Sequence, residues 1–241
     1  MRRLATPAFL LCAAAAVDMF LAGCRPAPGH PPEAMLSPDQ VTDFHVLYSR
    51  NCAACHGANG QNGPAIDLAN PEYQALVDDA TLRKWISGGM PGTEMPAFAQ
   101  SAGGMLTDAQ IDALIAGMRR EWSAPNVLAG ATPPPYADNH LGDAQHGAQT
   151  YDRRCAGCHE KSPQQITSSD YLALVGDQAL RSILIAGRPD IGQPDWRYSG
   201  PGIPVPDRPL SNQDVDDLVA FLASLRNPQP ASSNSTGQAG R

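Results

Sequence analysis

Apolar residues in this 241-residue chain recur at helical spacing in short runs separated by glycine and proline, with no long amphipathic element and no strand-like alternation. Phe44, Leu47 and Tyr48 share one face of a helix predicted over residues 42–56. A shorter helix is predicted over residues 79–87, and Thr107 caps a third whose apolar side carries Ile111, Leu114, Ile115 and Met118. Gly60, Gly63 and Pro64 mark residues 57–70 as a loop, and residues 88–96 form a second loop punctuated by glycine and proline.

The same pieces return later in the chain. Tyr48-x-Arg50-x-Cys52 matches Tyr151-x-Arg153-x-Cys155 at an offset of 103, and Leu76, Asp79, Leu82 and Arg83 match Leu174, Asp177, Leu180 and Arg181 at 98. Leu106, Ile111, Asp112 and Leu114 match Leu210, Val215, Asp216 and Leu218 at 104. Small changes of offset between matching blocks are what loop insertions and deletions leave behind. The chain therefore reads as two copies of one small domain, 38–122 and 140–227, each of about 85 residues. Residues 123–139, with Pro125 and Pro133-Pro134-Pro135, cannot form a helix interior and are predicted to be a semi-rigid spacer. A domain this small buries little surface on its own, so each copy is expected to need a further core component.

Each copy carries the residues that would supply one. Cys52-Ala53-Ala54-Cys55-His56 and Cys155-Ala156-Gly157-Cys158-His159 are C-x-x-C-H segments, in which two thiols one helical turn apart can form thioethers with one haem and the histidine can take the iron. Two C-x-x-C pairs also suit a zinc ribbon. However, a ribbon spaces its pairs by roughly 15 to 20 residues and does not require a histidine directly after each, whereas here the intervening distance is 99 residues. Two haem c groups with iron are expected, with His56 and His159 as axial ligands.

The ends of the chain carry signals of another kind. Met1-Arg2-Arg3, the apolar run from Leu4 to Val17 and Leu21-Ala22-Gly23-Cys24 resemble a bacterial lipoprotein signal over residues 1–23. Cys24 would then be the lipid anchor, residues 24–37 a Pro/Gly-rich tether and residues 228–241 a disordered tail. Asp18 interrupts the apolar run and disfavours a transmembrane span. With Cys12 lost and Cys24 lipidated, the other four of the six cysteines are all used by the two haems. The net charge of −7 becomes −8 once Arg2, Arg3 and Asp18 are removed, and no basic patch points to nucleic acid. A partner with a positive face is expected.

Both copies resemble class I cytochrome c domains, and the whole resembles a dihaem cytochrome c of the bacterial cell envelope. The resemblance runs from Ser37 to about Asn227 and rests on the C-x-x-C-H segments, on Gly63-Pro64 and on Met95-Pro96-Ala97-Phe98. It implies an all-α fold of two tandem domains, each a few helices around one covalently bound haem. It also implies Met95 as the sixth ligand of the first iron, with Met90 as the fallback, while Met105 and Met118 are read as surface or core residues. The second copy departs from the pattern: at the offset of 98, Met95 falls on Gln193 and Pro96 on Pro194, and no methionine follows Met118. The second iron is then left to Gln193, to water or nothing, or to another side chain such as His140 or His146. His30 and His45 are read as solvated. In this family the first and last helices cross closely, which pairs Phe44 with Gly117 and Gly147 with Phe221, with Tyr48 and Tyr151 at the same crossings.

The resemblance implies an electron carrier, not an enzyme, on the periplasmic side of a bacterial membrane, held there by lipid. Its partners would be a respiratory complex or a soluble redox protein. An amide ligand is harder than a thioether and favours ferric iron, so the second haem is expected at the lower potential. The alternative is a haem enzyme or gas-binding protein using a weakly ligated second iron, with Arg188 and Arg197 as the nearest candidates to polarise a bound molecule, although both read more simply as propionate or surface partners. A second domain with a purely structural haem is a third reading.

Overall fold

The structure is a computed structural model describing residues 36–160, 166–197 and 208–226. Cys24, His30, the proposed signal, most of the tether and the 228–241 tail lie outside the described residues. In the first repeat, α1 (Phe44–Asn51) runs into α2 (Ala53–His56), followed by α3 (Pro71–Leu76), α4 (Asp79–Gly88) and α5 (Asp108–Trp122). The second repeats the order with α6 (Ala144–Arg154), α7 (Ala156–His159), α8 (Ser169–Leu174), α9 (Asp177–Ala186) and α10 (Asn212–Ser224). Among the described residues the sheet-like pairing amounts to two isolated bridges, Ala99 with Leu106 and Arg188 with Gln193. The fold is all-α, and among the described residues no helix is long and apolar enough to cross a membrane.

At several helices side chains satisfy the first amides, which have no partner within the helix. Asp43 accepts from the Val46 amide at 2.9 Å and Asp78 from Thr81 at 2.7 Å. Thr107 with Gln110 and Ser211 with Asp214 form capping boxes on the last helix of each repeat. Helix α3 occupies residues for which the hydrophobic pattern predicts no element. Its signal was local: Asn70 caps it by accepting from the Glu72 amide at 2.9 Å, and Pro71 takes the first helical position, where no amide is needed.

The predicted helix crossings are present. A Cβ on Gly117 would lie 2.2 Å from the Phe44 ring, and one on Gly147 would lie 2.8 Å from the Phe221 Cβ and 2.0 Å from the Asp217 carbonyl. Tyr48 meets Trp122 edge-on at 5.1 Å, and Tyr151 lies 5.4 Å from Phe221. The repeat extends to ion pairs, with Arg83 paired to Asp112 and its equivalent Arg181 to Asp216. One equivalence escaped the sequence comparison. Arg119 donates to the carbonyls of Gln74 and Val77 and to Asp79, while Arg226 donates to those of Leu172 and Val175 and to Asp177. Each arginine thus ties the end of one short helix to the start of the next. Because the second arginine is displaced from the helix offset of 104, alignment alone did not pair them.

The two repeats are packed against each other. Ala186 of α9 belongs to the first repeat's core, and Asn70 Nδ2 donates to its carbonyl at 2.8 Å. Trp196 Nε1 donates to Glu72 Oε1 at 3.1 Å and Arg197 to Glu72 Oε2 at 2.9 Å. The proline-rich segment lies against both repeats and does not hold them apart. Tyr136 packs on the first core and its hydroxyl accepts from Trp85 at 3.1 Å, while the Pro135 carbonyl accepts from Arg181 at 2.8 and 3.0 Å. Residues 131–135 are not helical, so the Pro135 carbonyl has no helical bond to give up in serving the arginine.

Two predictions follow from this packing. Gly147→Ala places a methyl against backbone that cannot rotate away and is expected to destabilise the protein by about 1–3 kcal/mol. Gly88→Ala, with nothing within 4 Å of the new atom, should leave the thermal midpoint close to wild type. For Glu72, burial raises the carboxyl to about 7, helped by the charge of Asp195 and opposed by Arg197. A carboxyl raised in the folded state contributes stability that is full below its unfolded value of 4.5 and is lost as the pH climbs toward 7. Denaturant titrations should therefore show the wild type losing stability relative to Glu72→Gln across that window, because the amide cannot ionise.

Candidate functional site

Each C-x-x-C-H segment is a turn of helix joined to the preceding one at its first cysteine. The amides of Cys55 and His56 donate to the Cys52 carbonyl at 3.2 and 3.0 Å, and those of Cys158 and His159 donate to the Cys155 carbonyl at the same distances. Cys52 and Cys155 are half-buried, while Cys55 and Cys158 are exposed. Tyr48 fixes the end of the first segment by donating to the Gly57 carbonyl at 2.9 Å. The returning loop passes so close that a Cβ on Gly63 would lie 2.3 Å from the Cys55 carbonyl, so glycine is required there.

His56 Nδ1 lies 2.9 Å from the Ile66 carbonyl. A carbonyl only accepts, so Nδ1 carries the proton and Nε2 keeps the lone pair a metal needs. Burial pushes the ring below the ordinary imidazole range, assisted by the nearby Arg188 charge, which keeps it neutral. Asp67, next along the loop, is buried with Oδ1 unpartnered; burial first, then Asp190, raise its carboxyl to about 6 against the pull of Arg188.

The loops that follow Gly89 and Gly187 are built alike. Gly89 has φ +71° and Gly187 φ +73°, a left-handed conformation that favours glycine. A Cβ on Gly89 would strike Met95, Pro96 and Ala97 backbone at 2.7–2.8 Å, and one on Gly187 would strike Gln193, Pro194 and Asp195 backbone at 2.8 Å. The Met90 amide donates to the Met95 carbonyl at 3.1 Å, and the Arg188 amide to the Gln193 carbonyl at 2.9 Å. Gln193 therefore occupies the backbone position of Met95, and Arg188 that of Met90.

Met95 is half-buried against the first core, with its amide held by Thr93 Oγ1 at 3.2 Å. In the second repeat, Gln193 Oε1 lies 3.0 Å from His159 Nε2. The amide oxygen accepts from Nε2, so Gln193 faces His159, while the other candidates are engaged elsewhere. His140 pairs with Asp138 at 2.5 Å, and His146 is exposed at the start of α6, where its amide donates to Asp143. Met118 is buried in the first core and Met105 is 79% exposed, and His45 is an exposed residue 3.3 Å from Glu121. Arg188 and Arg197 are committed to contacts between the repeats, a role that a reading of either repeat alone had no means to assign.

Comparison with known proteins agrees with this architecture. Residues 39–116 match the family model described as cytochrome C oxidase, cbb3-type, subunit III, and residues 144–226 match that described as cytochrome c. The chain is a dihaem class I cytochrome c of two tandem domains, with two covalently bound haem c groups that the Cys52/Cys55 and Cys155/Cys158 motifs fit. It is similar to the cbb3-type cytochrome c oxidase subunit CcoP of Azospirillum sp. (strain B510), at 28% identity over 164 residues. That match covers 64% of this chain and 46% of the relative, so the chain spans a little under half of the curated protein it matches.

Replacing Cys155 and Cys158 together by alanine is expected to lower the covalently bound haem from two per chain to one. Intact-protein mass and haem absorbance after denaturation would measure it.

Proposed function

We propose that the protein is a c-type cytochrome that carries electrons between components of a bacterial respiratory chain, with a cbb3-type oxidase or a complex like it as the partner. In this reading His56 and Met95 are the axial ligands in the first domain, His159 and Gln193 those in the second, and lipid on Cys24 holds the chain at the periplasmic face of a membrane. When bound, each haem c supplies a one-electron ferric/ferrous couple. The protein residues set how readily each accepts the electron: the Met95 thioether favours the ferrous state, and the Gln193 amide oxygen is harder and favours the ferric one. That difference gives the chain a low-potential and a high-potential end.

The observation that carries this reading is the loop backbone that Gln193 shares with Met95, which turns the Gln193 side chain to face His159. It is supported by the use of Arg188 and Arg197 as structural partners, which engages the two arginines that the sequence offered as candidates to polarise a ligand at the second iron. Similarity to an oxidase subunit motivates the choice of partner.

Electron paramagnetic resonance of the fully oxidised haem-loaded protein tests the ligand set. A low-spin signal from the first domain beside a high-spin or weak-field signal from the second is expected. Gln193→Met should convert the second signal to low spin and raise its potential by part of the roughly 0.8 V span that axial ligands command. Two strong-field signals in the wild type would refute Gln193 as the ligand. Rapid carbon monoxide binding with no electron exchange would favour the gas-binding reading.

A further inference from the structure

The two axial histidines are joined by a path of hydrogen bonds that crosses from one domain to the other. On the first side, His56 Nδ1 meets the Ile66 carbonyl at 2.9 Å. One residue earlier, the Ala65 carbonyl accepts from Arg188 Nη1 at 2.8 Å, and the Gly63 carbonyl accepts from Nη2 at 3.0 Å. On the second side, the Arg188 amide and carbonyl each exchange a 2.9 Å bond with Gln193, whose Oε1 is 3.0 Å from His159 Nε2. A single residue therefore links the loop that orients one axial histidine to the loop that faces the other.

The link is rigid for physical reasons. The Arg188 fork is also held by Asp190, through Nε at 2.9 Å and Nη2 at 2.7 Å, and Asp190 Oδ2 accepts from the Asn62 amide of the first domain at 2.7 Å. Arg188 is 6% exposed. A buried pair of this kind is costly to break from one side, because the remaining charge stays desolvated. The guanidinium fork reaches two carbonyls and a carboxylate at once, which a point-charge ammonium cannot do. The repeat also isolates the residue: Met90 holds the equivalent backbone position in the first domain, so the arginine is present only in the loop that meets the other domain's haem segment.

We infer that Arg188 is the positioning residue that makes the two haem sites one redox unit, by fastening the loop that orients His56 to the loop that presents Gln193 to His159. The redox half of this inference rests on the electron-carrier reading; the docking half does not. In the step concerned, one electron leaves ferrous iron at one site and ferric iron at the other takes it up, with no proton or further reactant. Its rate falls with the separation between the two sites, which the docked loops fix.

The test uses the haem-loaded full chain as wild type, Arg188→Gln and Arg188→Lys, with two readouts. Amide hydrogen exchange over residues 62–66 should rise about tenfold or more in Arg188→Gln, about 1.4 kcal/mol of lost protection, while α10 exchanges as in the wild type. After reduction with less than one equivalent of a one-electron donor, redistribution between the haems should slow several-fold. Arg188→Lys should fall between the two; wild-type values for it would overturn the two-carbonyl geometry and leave only a charge effect. Wild-type exchange at residues 62–66, or wild-type redistribution, in Arg188→Gln would overturn the inference. Should Arg188→Gln fail to load haem, Asp190→Asn loosens the same fork from its other side and is judged by the same two outcomes. A wild-type protein in which one haem accepts no electron would overturn the electron-carrier reading and the redox half with it, whereas hydrogen exchange would still judge the docking half.

Discussion

The close crossing of the first and last helices is the constraint on which the rest of each domain depends. The crossing needs a glycine on one helix and an aromatic ring on the other, and the two domains satisfy it with the roles exchanged: Phe44 over Gly117, and Phe221 over Gly147. Once it is made, the C-x-x-C-H segment at the end of the first helix is held in place, and Tyr48 or Tyr151 fills the angle of the crossing. The last helix also carries the carboxylates that receive Arg83 and Arg181, and the short helices are tied in by Arg119 and Arg226.

Electrostatics do a different job at the junction of the domains. Glu72, Asp195 and Arg197 meet beside Trp196, and Arg188 with Asp190 meets the loop carrying Gly63 and Ala65. Surface ion pairs contribute little, but these groups are largely out of water, where geometry decides whether a charge is tolerated. Such contacts favour one relative arrangement of the domains over near alternatives. For a protein carrying two redox groups, that arrangement sets the separation and the medium between them. The proline-rich segment serves the same end, since Tyr136 and the Pro135 carbonyl tie it to one domain and the other.

In the loops that follow Gly89 and Gly187, the second domain departs from the first in side chains on a shared backbone turn. Gly89 and Gly187 turn the chain in the same way and bring the following loop equally close. Upon that common turn, methionine is replaced by glutamine at one position and by arginine at the other. The first exchange changes what faces the histidine, and the second changes what faces the neighbouring domain. One duplicated scaffold thereby gains both an asymmetric pair of loops and an interface.

The sequence by itself determined the covalent chemistry and the local frame. Two C-x-x-C-H motifs, an internal repeat, helix caps such as Thr107 and the register that sets Gln193 against Met95 are all properties of residues near one another or related by a constant offset. The crossing pairs were legible too, because small and aromatic residues fall at matched positions. What only the tertiary structure decided were contacts between residues more than a hundred positions apart: Arg188 with Ala65, Trp196 with Glu72, and Asn70 with Ala186. Arg188 and Arg197 read as surface cations because no periodicity or spacing marks a charged side chain whose partners are carbonyls and carboxylates of another domain. Proline in residues 123–139 restricts the backbone but does not say whether the segment stands free or lies against a core. The difference is physical: hydrophobic period, capping and covalent motifs act within a few residues, whereas domain docking depends on which surfaces remain once each domain has folded.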